Sequence, residues 1–443
     1  MSEVLIDGSW IPAQSRAELE VHNPATLRSL AGVPFCDAQD AVVAMGGARR
    51  AVERWRVLSR QTRTGLLLEV GRALATNAPG LAELQSLESG QPYTECLAAA
   101  LAAAACFTQA ADRALRNLPE SLEAHPRAAV ARPLLLDPEY PLSHWACAAV
   151  PLLEAGSTLV CAAPRSAPLS VLRAARCASA LPKGVLNMLV ASPEAMRAAL
   201  VGDSLEDGKT AESGADRGVV DAVFVFDRAD FDRTLKGCAA QRLFHSGQRP
   251  KQSARIYVEQ RIANDLADRL HEYVAFLECG DPRSPATDLG PLRSAAALQR
   301  VEDQVSAALR RGALLKVGGR RYQPWGLRGY FFQPTVMIEG RGVERAPDSE
   351  IHGPVLIVSP VRSLAEALSM ERIRRLSCLG GDCDAQLQSL RADGIDFEVT
   401  EATTPLERIM QEFQGMGTGR LRIERGAAEE RSGYPYRARA TAR

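Results

Sequence analysis

The chain is 443 residues long, 46% hydrophobic and 24% charged, which suits a soluble protein of two or three packed units. Lys plus Arg and Asp plus Glu both number 53, and the absence of net charge argues against a nucleic-acid or anionic-membrane partner, whose mark is a strongly basic domain. The ten cysteines are spread singly and the closest two, Cys378 and Cys383, lack Cys-x-x-Cys spacing, so reduced, mostly buried thiols, no metal site and a cytoplasmic setting are expected.

The opening MSEVLIDGSW has neither a basic n-region nor a long apolar run, and no secretory signal is expected from it. Val4 to Trp10 carries Asp7-Gly8 between apolar residues, a hairpin signal. Asn23-Pro24-Ala25-Thr26 reads as a turn. Asp37, with Asp40 three residues on, predicts the N-cap of a helix running to about Trp55. Leu66, Leu67, Val70 and Leu74 give a second helix over Thr62 to Asn77. A third ends at Ser89-Gly90-Gln91-Pro92, and an Ala-rich helix follows to about Leu115. Its most apolar stretch, Ala98 to Cys106, is too short to span a bilayer.

From Ala128 the pattern alternates. Strands are predicted over Ala129 to Leu136, Ser157 to Ala162, Val185 to Val190 and Ala222 to Phe226. Helices are predicted over Leu142 to Ala155, Pro168 to Leu181 and Pro193 to Val201. Such alternation implies βαβ units and a largely parallel, doubly wound sheet, with ligands at the carboxyl ends of its strands. Asp203 to Gly218 is polar and aperiodic and reads as a loop.

Asp230-Phe231-Asp232 starts a helix that leads into Leu243 to Arg255, LFHSGQRPKQSAR, ahead of the β-rich Ile256-Tyr257-Val258. Cys238 lies within that helix and reads as a buried structural thiol. A strand is expected from Val355 to Val361, after a Gly-Pro turn. Phe413 to Arg420, FQGMGTGR, has glycines but lacks the strand, helix and Lys of a phosphate-binding loop.

These segments resemble the aldehyde dehydrogenase superfamily from about Leu5 to Arg420. The motifs are ESGQPY ending at Tyr93, Asp137-Pro138-Glu139-Tyr140-Pro141-Leu142, Asp288-Leu289-Gly290-Pro291-Leu292, Gly329 to Val336, and Glu350-Ile351-His352-Gly353-Pro354-Val355. The resemblance implies an α/β, aldehyde dehydrogenase-like fold, with two doubly wound Rossmann-like α/β domains plus a small oligomerisation element. It implies a degenerate dinucleotide-binding domain at 1–236, a catalytic-type domain at 237–420 and a C-terminal tail at 421–443.

Carried over residue by residue, the resemblance also marks losses. The nucleophilic cysteine, two residues after Gln248, is Pro250 here, which has neither a nucleophile nor a backbone N–H. The asparagine of the oxyanion hole is Glu139, a carboxylate that would repel a developing oxyanion. The lysine and glutamate that contact the adenosine ribose are Ala162 and Arg165. Either Glu212 or Asp216 falls at the general-base position. Glu350 and His352 stand where the family bonds the nicotinamide ribose and packs beside the ring, and are the candidate cofactor-binding residues.

No catalytic residue is therefore assigned. The expected function is a catalytically silent, pseudoenzyme-like member acting as a structural or regulatory subunit, in a homo-oligomer or with an active aldehyde dehydrogenase. One alternative is NAD(P)-dependent oxidation of an aldehyde to an acid, with Cys238 as substitute nucleophile. The other is a non-catalytic sensor of a small acid, aldehyde or nucleotide, with Glu139, Arg249, Lys251, His245 and His352 lining the pocket. No cofactor is expected, or NAD or NADP if any binding is retained.

Overall fold

The computed structural model describes residues 3–115, 129–199, 219–226, 235, 238, 242–248, 252–340, 351–370, 372–379, 397–401 and 421–425. Asp7 and Gly8 both take positive φ, 49° and 76°, the two-residue turn that joins β1 (Val4–Ile6) to β2 (Ser9–Ile11). The Asn23 turn lies between β3 (Glu18–His22) and β4 (Ser29–Pro34), a hairpin that sequence periodicity did not mark. α1 (Ala38–Arg56) opens on the expected box. Asp37 accepts from the Asp40 N–H at 3.1 Å and Asp40 accepts from the Asp37 N–H at 3.2 Å.

The second and third predicted helices are one, α2 (Arg60–Ser89), with Pro79 inside it. Its continuity comes from tertiary packing. Leu67, Val70, Leu74, Ala78, Leu81 and Ala82 form a buried face, and α2 packs along α3 (Tyr93–Leu115). The apolar part of α3 is longer than Ala98 to Cys106. The window Tyr93–Asp112 is long and apolar enough to cross a membrane, yet 61% of it is buried within the protein.

The smaller sheet runs β2-β1-β7-β6-β5, with β5 (Ala131–Leu135), β6 (Thr158–Ala163) and β7 (Leu186–Val190) parallel and β1 antiparallel at its side. α4 (Pro141–Glu154) and α5 (Pro168–Ala175) are crossovers, and α6 (Pro193–Ala198) follows β7. Every residue of β6 and β7 is buried, as expected for strands covered on both faces.

The larger sheet has eight strands in the order β10-β11-β12-β9-β8-β13-β15-β14. They are β8 (Val219–Val225), β9 (Gln252–Glu259), β10 (Leu314–Val317), β11 (Thr335–Ile338), β12 (Val355–Val361), β13 (Arg372–Leu379), β14 (Phe397–Glu401) and β15 (Leu421–Arg425). All neighbours pair parallel except β10 with β11. Leu356 and Val358 pack with α7 (Ala263–Ala275), whereas Val355 and Ile357 pack with α8 (Ala295–Arg310), so alternate residues of β12 serve opposite faces. The expected division at 236/237 and the tail from 421 cut across this sheet. β8 and β15 both pair inside it, and a hydrogen-bonded sheet is one unit.

Candidate functional site

The loop between β5 and α4 presents Glu139. Asp137 shapes the loop, accepting from the Glu139 N–H at 2.7 Å and the Tyr140 N–H at 3.2 Å, while its own N–H donates to His144 Nδ1 at 2.8 Å. Burial pushes His144 down to about 4 and keeps it neutral, as that acceptor role requires. Burial also raises Asp137 above the usual carboxylate range.

The second wall is Phe244 to Gly247, where His245, Ser246 and Gly247 all take positive φ, 51°, 52° and 69°. For the two non-glycine residues this costs roughly 1–2 kcal/mol each, offset by anchors on both sides. The His245 N–H donates to Glu95 Oε2 at 2.9 Å, and Ser246 Oγ donates to the Gly290 carbonyl at 2.8 Å. Gly247 has a steric reason for its identity: a Cβ there would sit 1.9 Å from the Gly353 carbonyl oxygen.

These loops meet at Glu139. Its carboxylate lies 2.9 Å from His245 Nδ1 and is ion-paired with Arg293, which follows the Asp288 to Leu292 motif. Glu139 is 3% exposed and His245 2%. Burial by itself would raise the Glu139 pKa, but the His245 contact and the Arg293 charge outweigh it and hold the carboxylate below its ordinary range. The rest of the network fixes geometry. Gln91 Nε2 donates to the Glu139 carbonyl at 3.2 Å, Gln248 Oε1 accepts from the Arg293 N–H at 2.9 Å, and the Tyr140 and Phe244 rings stack at 5.9 Å.

The structure thus joins two of the predicted lining residues, Glu139 and His245, and adds Arg293, which the sequence reading missed. His352 is half-buried in the turn whose Gly353 backs onto Gly247. Pro250, Arg249, Lys251, Glu350, Glu212, Asp216 and the Phe413 to Arg420 segment lie outside the described residues. Cys238 is fully buried, and burial pushes its thiol up to about 12, which disfavours the thiolate that a substitute nucleophile would need.

The ribose positions implied by the resemblance do not fit a ribose as the family holds it. Ala162 is buried and apolar, and the Arg165 guanidinium lies 4.7 Å over the Phe35 ring. Among the described residues no group of His, Cys, Asp and Glu suits a metal ion.

The sequence pattern of the aldehyde dehydrogenase family matches residues 10–372. The chain is similar to the succinate-semialdehyde dehydrogenase (NADP+) GabD of Escherichia coli strain K12, 27% identical over 383 residues, covering 80% of this chain and 79% of that one. It is similar to the glutarate-semialdehyde dehydrogenase of Pseudomonas aeruginosa, 27% identical over 398 residues, with 83% and 82% covered. Among solved structures, the succinate-semialdehyde dehydrogenase from Burkholderia pseudomallei superposes with a TM-score of 0.76 at 26% identity, covering 88% of each chain.

Proposed function

Because the chain belongs to the aldehyde dehydrogenase family, we propose that it is a catalytically silent member of that family, acting as a structural or regulatory oligomer subunit. The observation that carries this reading is the buried Glu139 carboxylate, held ionised between His245 and Arg293 at the position where the family resemblance expects an amide donor. A lost oxyanion donor costs about 2.7–4 kcal/mol of transition-state stabilisation. An ionised carboxylate in the donor's place repels a developing oxyanion where an amide would stabilise it. Together with a proline at the nucleophile position, these effects leave the thiohemiacetal route without either of its supports.

The names of the relatives favour a second reading, NAD(P)-dependent oxidation of an aldehyde, and one of them is specified for NADP+. On that ground NAD and NADP are the cofactors to test, with Glu350 and His352 as the residual contacts. Ala162 and Arg165 do not offer the ribose the contacts that the family resemblance implies.

The deciding experiment is absorbance-monitored NADH and NADPH formation with a panel of semialdehydes and simple aldehydes. No turnover is expected from the wild type, nor from Pro250→Cys alone, since Glu139 still occupies the oxyanion position. Robust turnover by the wild type would establish the second reading.

A further inference from the structure

We propose that Cys106 and Cys147 are an oxidisable dithiol that closes into a disulfide between α3 and α4. This goes beyond the proposed function and does not depend on it. The two sulfurs lie 3.4 Å apart, in van der Waals contact, on helices packed side by side. Cys106 is buried and Cys147 is partly exposed. The helices are pinned close to the pair. Ser143 Oγ donates to the Ala99 carbonyl at 3.3 Å, and the Phe107 and Trp145 rings meet at 5.4 Å. A disulfide needs a sulfur separation of about 2.05 Å, so the two sulfurs must close by a little over an ångström from 3.4 Å.

The exposure difference sets the order of chemistry. A hydroperoxide such as hydrogen peroxide reaches Cys147 first. Its thiolate attacks the peroxide oxygen, the O–O bond breaks, and the products are a Cys147 sulfenic acid and water. Cys106 sulfur then attacks the Cys147 sulfur and expels the sulfenic oxygen as a second water, taking up the Cys106 proton. The sum is two thiols plus one peroxide giving one disulfide and two waters. A dithiol reductant reverses it by exchange.

The bridge would also clamp the elements that hold the site. Glu95, in the first turn of α3, accepts from the His245 N–H, and α4 begins two residues after Glu139. Oxidation would therefore fix the spacing of the supports beneath the Glu139–His245 contact.

The test treats the native protein with hydrogen peroxide, blocks remaining thiols with N-ethylmaleimide in denaturant, and maps peptides by mass spectrometry without reduction. The expected product is a Cys106–Cys147 linked peptide pair, lighter than its parts by two hydrogens and absent after dithiothreitol. Met370, exposed and oxidisable, serves as an internal dosimeter. Recovery of Cys106 and Cys147 as alkylated thiols when Met370 is fully converted to sulfoxide would overturn the proposal, as would linkage of either to a different cysteine. Peroxide should raise the thermal midpoint of the wild type and leave that of Cys147→Ser unmoved. An equal rise in the variant would also count against the bridge.

Discussion

Glu139 joins two loops that are far apart in sequence. Removing its charge as Glu139→Gln leaves a buried imidazole and a partly solvated guanidinium without their anion. The expected loss is about 1–3 kcal/mol, below the 3–5 kcal/mol typical when a fully buried pair is broken, because Arg293 reaches solvent. Urea unfolding measures it. The sign of the pH dependence follows from the depressed carboxylate. Its stabilisation is present above the unfolded value near 4.5 and is lost as pH falls through the folded one. The acid limb of the stability profile should therefore soften in Glu139→Gln. Gly247→Ala tests the backbone beside it. With φ at 69° and the Gly353 carbonyl in the way, the variant should lose about 2–4 kcal/mol or fail to fold. A urea midpoint unchanged from the wild type would refute the close-approach argument. At this scale the sequence showed which residue was anomalous but not its partners. Glu139 stands out against a motif, whereas Arg293 lies 154 positions further along the chain, and only tertiary contact connects the two.

Among the helices, the clearest electrostatic device is the start of α5. Glu88, near the end of α2, accepts from the Leu169 and Ser170 N–H groups at 2.7 and 2.8 Å, satisfying donors that the helix leaves unpaired. Burial is the largest influence on this carboxyl, and it pushes its pKa up from 4.5 to about 7 against those hydrogen bonds. Between about pH 4.5 and about pH 7 the folded protein holds a proton that the unfolded chain has released. Stability attributable to Glu88 is thus full below the lower value and falls as pH rises through the upper one, by about 3 kcal/mol in total. Glu88→Gln should flatten that part of the profile in denaturant titrations, and an unchanged slope would disprove the assignment.

Elements announced by local chemistry were legible in the sequence: the Asp37–Asp40 box, the Asp7-Gly8 turn, and β12 with its expected bounds. The rest depended on partners. α2 passes through Pro79-Gly80, which reads as a break, because packing on α3 overrides propensity. β3 and β4 are mostly exposed or half-buried and show no clean alternation to betray them.

For the molecule as a whole, the resemblance made the fold readable over most of the chain, because the retained motifs are those that turn or pack backbone. Gly90 at φ 79° abuts Pro24 and Pro291, and a Cβ at Gly329 would meet the Pro24 carbonyl at 2.1 Å. The Asn23-Pro24 turn and three of the motifs thus converge on one junction. If the molecule works by association, native mass spectrometry of protein isolated from its host at endogenous level should find it in a defined oligomer. Recovery as a monomer alone would sink the subunit reading, whereas bound dinucleotide on a homo-oligomer would favour the dehydrogenase reading.

The order in which the larger sheet is threaded has a consequence for biosynthesis. β13 and β14 are consecutive among the described strands, yet they do not touch, because β15 lies between them and pairs with both. While a ribosome is still delivering the chain, no described strand lies on the free side of β13, and β14 lacks its described partner until Leu421–Arg425 has emerged. During that interval the nascent protein presents an open parallel edge of the kind that chaperones shield and aggregates extend. A premature stop codon just ahead of Leu421 would therefore strand β14 as well as remove β15.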